Sequence, residues 1–97
     1  MKTEVYNNFV EKMNFVPQTR EYLGLALGGE CGEVLNEMKK EMRPGAEPRH
    51  EKVAYELGDT LYYLTATAKF YGYSLEQIME MNISKLEARK AATGVPA

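Results

Sequence analysis

Apolar residues recur every three or four positions along four stretches of this chain, the spacing of a helix with one buried face. Val5, Phe9, Val10 and Met13 set the first over about residues 3–13. Pro17 in "NFVPQT" cannot continue it, because proline lacks the N–H that the helical ladder needs. Leu23, Leu27, Cys31, Val34, Leu35, Met38 and Met42 form the stripe of a second helix over about 19–42, closed by Pro44 and Gly45 in "RPGAEP". Val53, Leu57, Leu61, Leu64 and Ala68 form that of a third over about 48–72, with Pro48 in its first turn and Gly72 as its cap. The fourth opens on "SLEQ", where Ser74 and Gln77 stand three apart as a capping box requires. It carries Leu75, Met79 and Leu86 and gives way to a frayed tail over 91–97. No segment reads as a strand. The pattern predicts an all-α unit of four helices, one domain over residues 1–97 with its motif-bearing core at about 19–90.

The acids break this pattern. On a wheel of about 100° per residue, Glu30 sits on one shoulder of the second stripe and Glu33 lies about 60° further round. Glu56 and Asp59 hold the same angles on the third helix. At an offset of 26 residues, Glu30 matches Glu56, Gly32 matches Gly58, Glu33 matches Asp59 and Leu35 matches Leu61, a short internal repeat. A short connector imposes antiparallel packing, which through the two stripes would set the acidic pairs facing each other across one end of a groove. Two carboxylates at ~4 Å repel by about 4 kcal/mol at an effective dielectric near 20, so four must spread apart, take up protons or gather a cation. One Glu-x-x-Glu alone is usually a solvated face. Two, each beside a core stripe and each spanning a glycine, form a stronger pattern, since glycine inside a helix costs about 1 kcal/mol relative to alanine. Gly32 and Gly58 lie away from the acids and predict close approach of another helix, of this or a partner chain.

The donor set narrows the cation. There is no Cys–His cluster for zinc, and the lone histidine, His50, belongs to no Glu-x-x-His motif of a carboxylate-bound iron pair. An all-oxygen set suits Mg²⁺, with Mn²⁺ as a substitute. A net charge of −2 with mixed signs argues against a nucleic-acid polymer or an anionic membrane as partner. With one cysteine and neither a signal-like nor a membrane-length apolar run, the expected compartment is the cytoplasm. Cys31, with no histidine at a helical neighbour position, reads as an inert apolar residue. A domain of 97 residues buries little of its surface, and the tyrosines of the third helix leave apolar area to cover, so at least a homodimer is expected.

"GECGEVLNEMKK" and "YELGDTLYYLTATAKFYGYSLEQIMEMNISKLEARK" resemble the MazG-like, all-α nucleoside triphosphate pyrophosphohydrolases. The family pattern E-x-x-E, a gap, then E-x-x-D is filled by Glu30, Glu33, Glu56 and Asp59, with 22 residues between the halves. The resemblance implies a helical unit completed by homo-oligomerisation, as homodimer or homotetramer. It implies that the four acids bind Mg²⁺ and serve catalysis. A metal-activated water would attack the α-phosphorus of a nucleoside triphosphate and release pyrophosphate, in nucleotide-pool clearance. Glu33 is favoured as general base. Asn82 and Lys85 match an N-x-x-K that similar proteins use on substrate. Lys40 and Tyr63, on the acidic side of their helices, are candidates for a phosphate and for a base or an interface. Tyr62, Tyr71 and Tyr73 read as packing residues. One departure is Gly29, where many members carry a further glutamate. The rival expectation is a non-catalytic module of the same fold that binds nucleotide or a partner; a third is hydrolysis of another phosphate-containing metabolite.

Overall fold

Local signals set several of the helix ends, but the first and third helices start without a side-chain cap, and Pro48 precedes the third helix and its N-cap Arg49 instead of standing in the first turn. The computed structural model describes residues 1–94 and comprises α1 (Thr3–Met13), α2 (Arg20–Glu41), α3 (His50–Phe70) and α4 (Leu75–Thr93), with no strand among the described residues. The Thr19 hydroxyl accepts the Tyr22 amide at 3.2 Å and so caps α2. At the end of α3, Gly72 adopts φ +87°. Its N–H donates to the Lys69 carbonyl and that of Tyr73 to the Ala68 carbonyl, the paired bonds of a Schellman turn that needs a residue with no Cβ at the left-handed position. Ser74 and Gln77 form the expected capping box of α4. The Leu75 amide, in the same first turn, donates to Asn7 Oδ1 at 2.9 Å, which ties α1 to α4. The expected tail begins later than residue 91: α4 continues through Thr93 and ends on Gly94 at φ +77°. The remainder of that tail lies outside the described residues.

α2 and α3 form an antiparallel pair: Leu23 clusters with Ala66 at one end, while Arg49, before α3, reaches Glu37 and Glu41 at the other. The faces that meet are not the expected stripes. On α2, Leu23, Leu27, Glu30, Val34, Glu37 and Glu41 are shielded; on α3, so are Val53, Glu56, Thr60, Tyr63 and Thr67. Both sets step by three and four in alternation, the heptad spacing of two helices packed along a seam. Each helix is rotated toward its acids, and the outer half of the predicted α2 stripe is left in solvent: Leu35 is 64% and Met42 83% exposed, and Cys31 is exposed. The small core gathers where α1 joins this pair, as Val10, Leu23 and Ala66 with Tyr6, Val16, Tyr62 and Tyr63 packed around them. Leu23 is fully buried there. Of the α1 stripe only Val10 is buried.

α4 buries only Leu75, leaving Met79, Met81 and Ile83 exposed. The chain is accordingly open, with a radius of gyration of 16.1 Å against ~12.5 Å for a compact domain of this length. The expected close approach at Gly32 and Gly58 does not occur within this chain: a Cβ at either would meet nothing within 4 Å. Among the described residues no helix is long and apolar enough to cross a membrane.

Candidate functional site

The seam rotation carries Glu30 and Glu56 between the helices. A carboxylate oxygen from each of Glu30, Glu56 and Asp59 lies within 4.8 Å of the other two. Oxygens coordinated to one Mg²⁺ at 2.0–2.1 Å stand at most about 4.2 Å apart, so the trio is spaced more widely than the ligands of one such ion. Glu33 stands exposed and outside the trio, although its charge is felt by both Glu30 and Glu56. Glu30 titrates above its ordinary range, chiefly because of desolvation and then through the charges of Asp59, Glu56 and Glu33. Glu56 is raised likewise, by desolvation, then Asp59, Glu33 and Glu37, with Lys40 partly opposing. Among the described residues no lysine or arginine forms an ion pair with any of these four acids.

Further along the seam a fifth acid has the opposite setting. Glu37 is only 9% exposed. It accepts Arg49 Nε at 2.7 Å on one oxygen and Lys40 Nζ at 3.2 Å on the other. The Arg49 guanidinium, ahead of the cost of burial, holds the Glu37 carboxyl below its usual range. Glu41 accepts the Arg49 amide at 2.6 Å, so two acids of α2 fasten the start of α3. The sequence pattern does not show these partners of Glu37. The heptad step from Leu23 through Glu30 to Glu37 signals only that Glu37 enters the seam, not which cation meets it there.

Of the expected substrate residues, Lys40 and Tyr63 lie with the acids and Asn82 and Lys85 do not. Lys40 is bound to Glu37 and close enough to Glu56 to oppose its shift. Tyr63 is half-buried in the seam; its hydroxyl titrates high because of burial, then through Tyr22 and Tyr62, with the charge of Glu30 adding to the shift. Asn82 is exposed rather than buried in an α4 stripe. It lines an apolar hollow of about 640 Å³ with Tyr6, Leu61, Leu64, Ile78 and Met79, and none of the four acids takes part in that lining. Lys85 is exposed on α4. A second cleft of about 370 Å³ does open beside the acids: Glu30, Gly58 and Asp59 share its lining with Tyr6, Phe9, Phe15, Tyr62 and Tyr63.

Fold and site together define an all-α protein whose paired helices gather carboxylates suited to a divalent metal. Residues 18–93 match the MazG nucleotide pyrophosphohydrolase domain, and the chain belongs to that family. It is also 30% identical over 73 residues to the Gene 37 protein of Mycobacterium phage L5, a match covering 71% of this chain and 64% of that relative. No solved structure matches the chain.

Proposed function

We propose that the chain is a Mg²⁺-dependent pyrophosphohydrolase of cytoplasmic (deoxy)nucleoside triphosphates, with Mn²⁺ able to substitute, releasing the monophosphate and pyrophosphate in nucleotide-pool clearance. One observation carries this reading: three carboxylates with oxygens within 4.8 Å and, among the described residues, no ion-paired cation, beside a cleft large enough for a nucleoside. Bound there, the divalent ion would supply charge for gripping a polyphosphate and a water of lowered pKa. Glu30, Glu56 and Asp59 would hold it. Glu33, outside the trio, takes the proton as water oxygen bonds to the α-phosphorus and the bond to the pyrophosphate oxygen breaks. Lys40 faces the departing phosphates and Tyr63 the nucleoside. Asn82 and Lys85 are assigned to the site of a neighbouring copy.

That last assignment requires a homodimer or homotetramer. Its support is the 7213 Å² that the chain leaves accessible, against ~5600 Å² for a folded monomer of this mass. The excess surpasses the ~800 Å² that each partner buries in a standard interface. Leu35, Met38, Leu57 and Met79 supply apolar area for it. A binding module without turnover is the second reading, favoured by Glu33 standing apart from the trio. Pyrophosphate release from a panel of nucleoside triphosphates with Mg²⁺ decides between them. Release that disappears in Glu56→Gln supports the enzyme; a folded wild type releasing nothing supports the module.

A further inference from the structure

The clasp at Glu37 holds its two cations unequally. Arg49 is fixed on both sides of its backbone: its N–H donates to Glu41 Oε2 at 2.6 Å, and its carbonyl accepts the Val53 amide at 2.9 Å. From there its Nε donates to Glu37 Oε2 at 2.7 Å. Lys40 donates to the other oxygen, Oε1, at 3.2 Å and stays partly exposed. Of the two, Arg49 does more to keep the Glu37 carboxyl ionised. A planar guanidinium on a held backbone is a fixed partner, whereas an ammonium on a flexible four-carbon stem can turn to another anion. A shielded carboxylate stripped of every cation is strongly unfavourable, but Glu37 without Lys40 still has Arg49. Helical side chains lean toward the N-terminus, so a lysine nearly one turn beyond Glu37 reaches back along the seam, and the charge of Lys40 is felt at Glu56.

We infer that Arg49 is a positioning residue which, by securing Glu37, frees Lys40 to leave that carboxylate for the polyphosphate of a bound nucleotide. Lys40 as a phosphate contact belongs to the proposed function, and the inference rests on that reading; the part of Arg49 is what the clasp adds. Two cations on one carboxylate are one more than its pairing requires. The surplus one is the partner whose charge reaches Glu56, so an arriving polyphosphate takes Lys40 without leaving a bare charge in the seam. Arg49 itself touches no substrate.

Calorimetric titration of the full chain with Mg²⁺ alone, and then with tripolyphosphate in excess Mg²⁺, tests this. Arg49→Gln makes Lys40 the sole partner of Glu37, so it should bind tripolyphosphate about tenfold more weakly than the wild type, the lower end of one charge-assisted hydrogen bond. Its Mg²⁺ affinity should not change. The Glu37→Gln, Arg49→Gln double variant should recover the wild-type affinity, since a neutral side chain at position 37 has no claim on Lys40. In a Lys40→Gln background, itself weakened to the same degree, Arg49→Gln should change nothing further. A double variant no tighter than Arg49→Gln overturns the inference, as does loss of Mg²⁺ affinity in Arg49→Gln; either result shows a clasp that only sets the helix register. NMR on the wild type needs no variant to fold: tripolyphosphate should shift the Lys40 ammonium signal and leave the Arg49 Nε–H signal in place. Movement of the Arg49 signal, or none of the Lys40 signal, overturns the inference while leaving the phosphate site standing. A wild type that binds no tripolyphosphate removes the phosphate site, and the role of Arg49 with it.

Discussion

The α2–α3 seam contains two acidic regions that the chain treats in opposite ways. At Glu37 a shielded carboxylate receives two cations, Arg49 and Lys40, and its proton affinity falls. At Glu30, Glu56 and Asp59 three carboxylates converge with no ion-paired cation among the described residues, and the proton affinities of Glu30 and Glu56 rise. The two regions lie on the same pair of helices, and Lys40 lies near both. The contrast shows that this chain can neutralise an acid in its interior and does not do so at the trio. Carboxylates brought together raise one another's proton affinity, and under the proposed function a divalent cation would relieve that repulsion. Glu37 instead fastens the start of α3, and so holds the register in which Glu56 and Asp59 face Glu30.

Substituting one acid from each region should give opposite results. Glu56→Gln is expected to cut pyrophosphate release on the order of a hundredfold to a thousandfold, the scale of losing one electrostatic stabiliser, and to raise the melting temperature of metal-free protein by relieving repulsion. Glu37→Gln should lower that temperature and leave much of the turnover. Calorimetry beside an activity assay checks both, and equal losses of turnover would erase the contrast. The next largest effect belongs to the metal. Mg²⁺ at a hundred times its dissociation constant should stabilise the wild type by about 2.7 kcal/mol. Thermal shifts should show this retained in Glu37→Gln and absent in Glu30→Gln.

Acid should separate the regions in sequence. Glu30 and Glu56, raised by folding, contribute stability that is full below the unfolded carboxylate pKa of about 4.3 and is lost as pH rises through their folded values. Glu37, lowered by folding, contributes stability present above that unfolded value and lost as pH falls through its folded one. Metal-free protein acidified from neutrality should therefore gain stability first and lose it afterward. Urea midpoints across pH test this, with the gain missing in a Glu30→Gln, Glu56→Gln double variant and the later loss reduced in Glu37→Gln. The smallest expected effect concerns the glycines between the paired acids. Since nothing lies within 4 Å of an added methyl, Gly32→Ala and Gly58→Ala should each stabilise the isolated chain by about 1 kcal/mol. A drop in oligomer size measured by light scattering would instead place a second copy against them.

The helix ends were legible because their causes are local: Pro17 and Pro44 stop the chain, Ser74 with Gln77 starts α4, and Gly72 supplies the left-handed turn after α3. That each of the two helices carries a pair of acids was legible because residues three apart share a helix face whatever surrounds the helix; that only Glu30, Glu56 and Asp59 converge was not. The stripe containing Leu35, Met38 and Met42 misled, since apolar spacing on one helix does not say which partner covers it. The pairing of Glu37 with Arg49 spans 12 residues and a loop, beyond the reach of any helical periodicity.

The sequence alone determined four helices, the capping box of α4, the Gly72 turn after α3, and a repeated acidic pair beside each of two stripes, because hydrogen-bond caps and helical spacing act within a few residues. Tertiary structure decided that the acids, rather than the full stripes, enter the seam, that Glu33 stands outside the trio, that Arg49 neutralises Glu37 and that α1 brings its rings to the acids. The rotation of one helix about its axis against another depends on every side chain in the contact at once, and no single stretch of chain contains that sum.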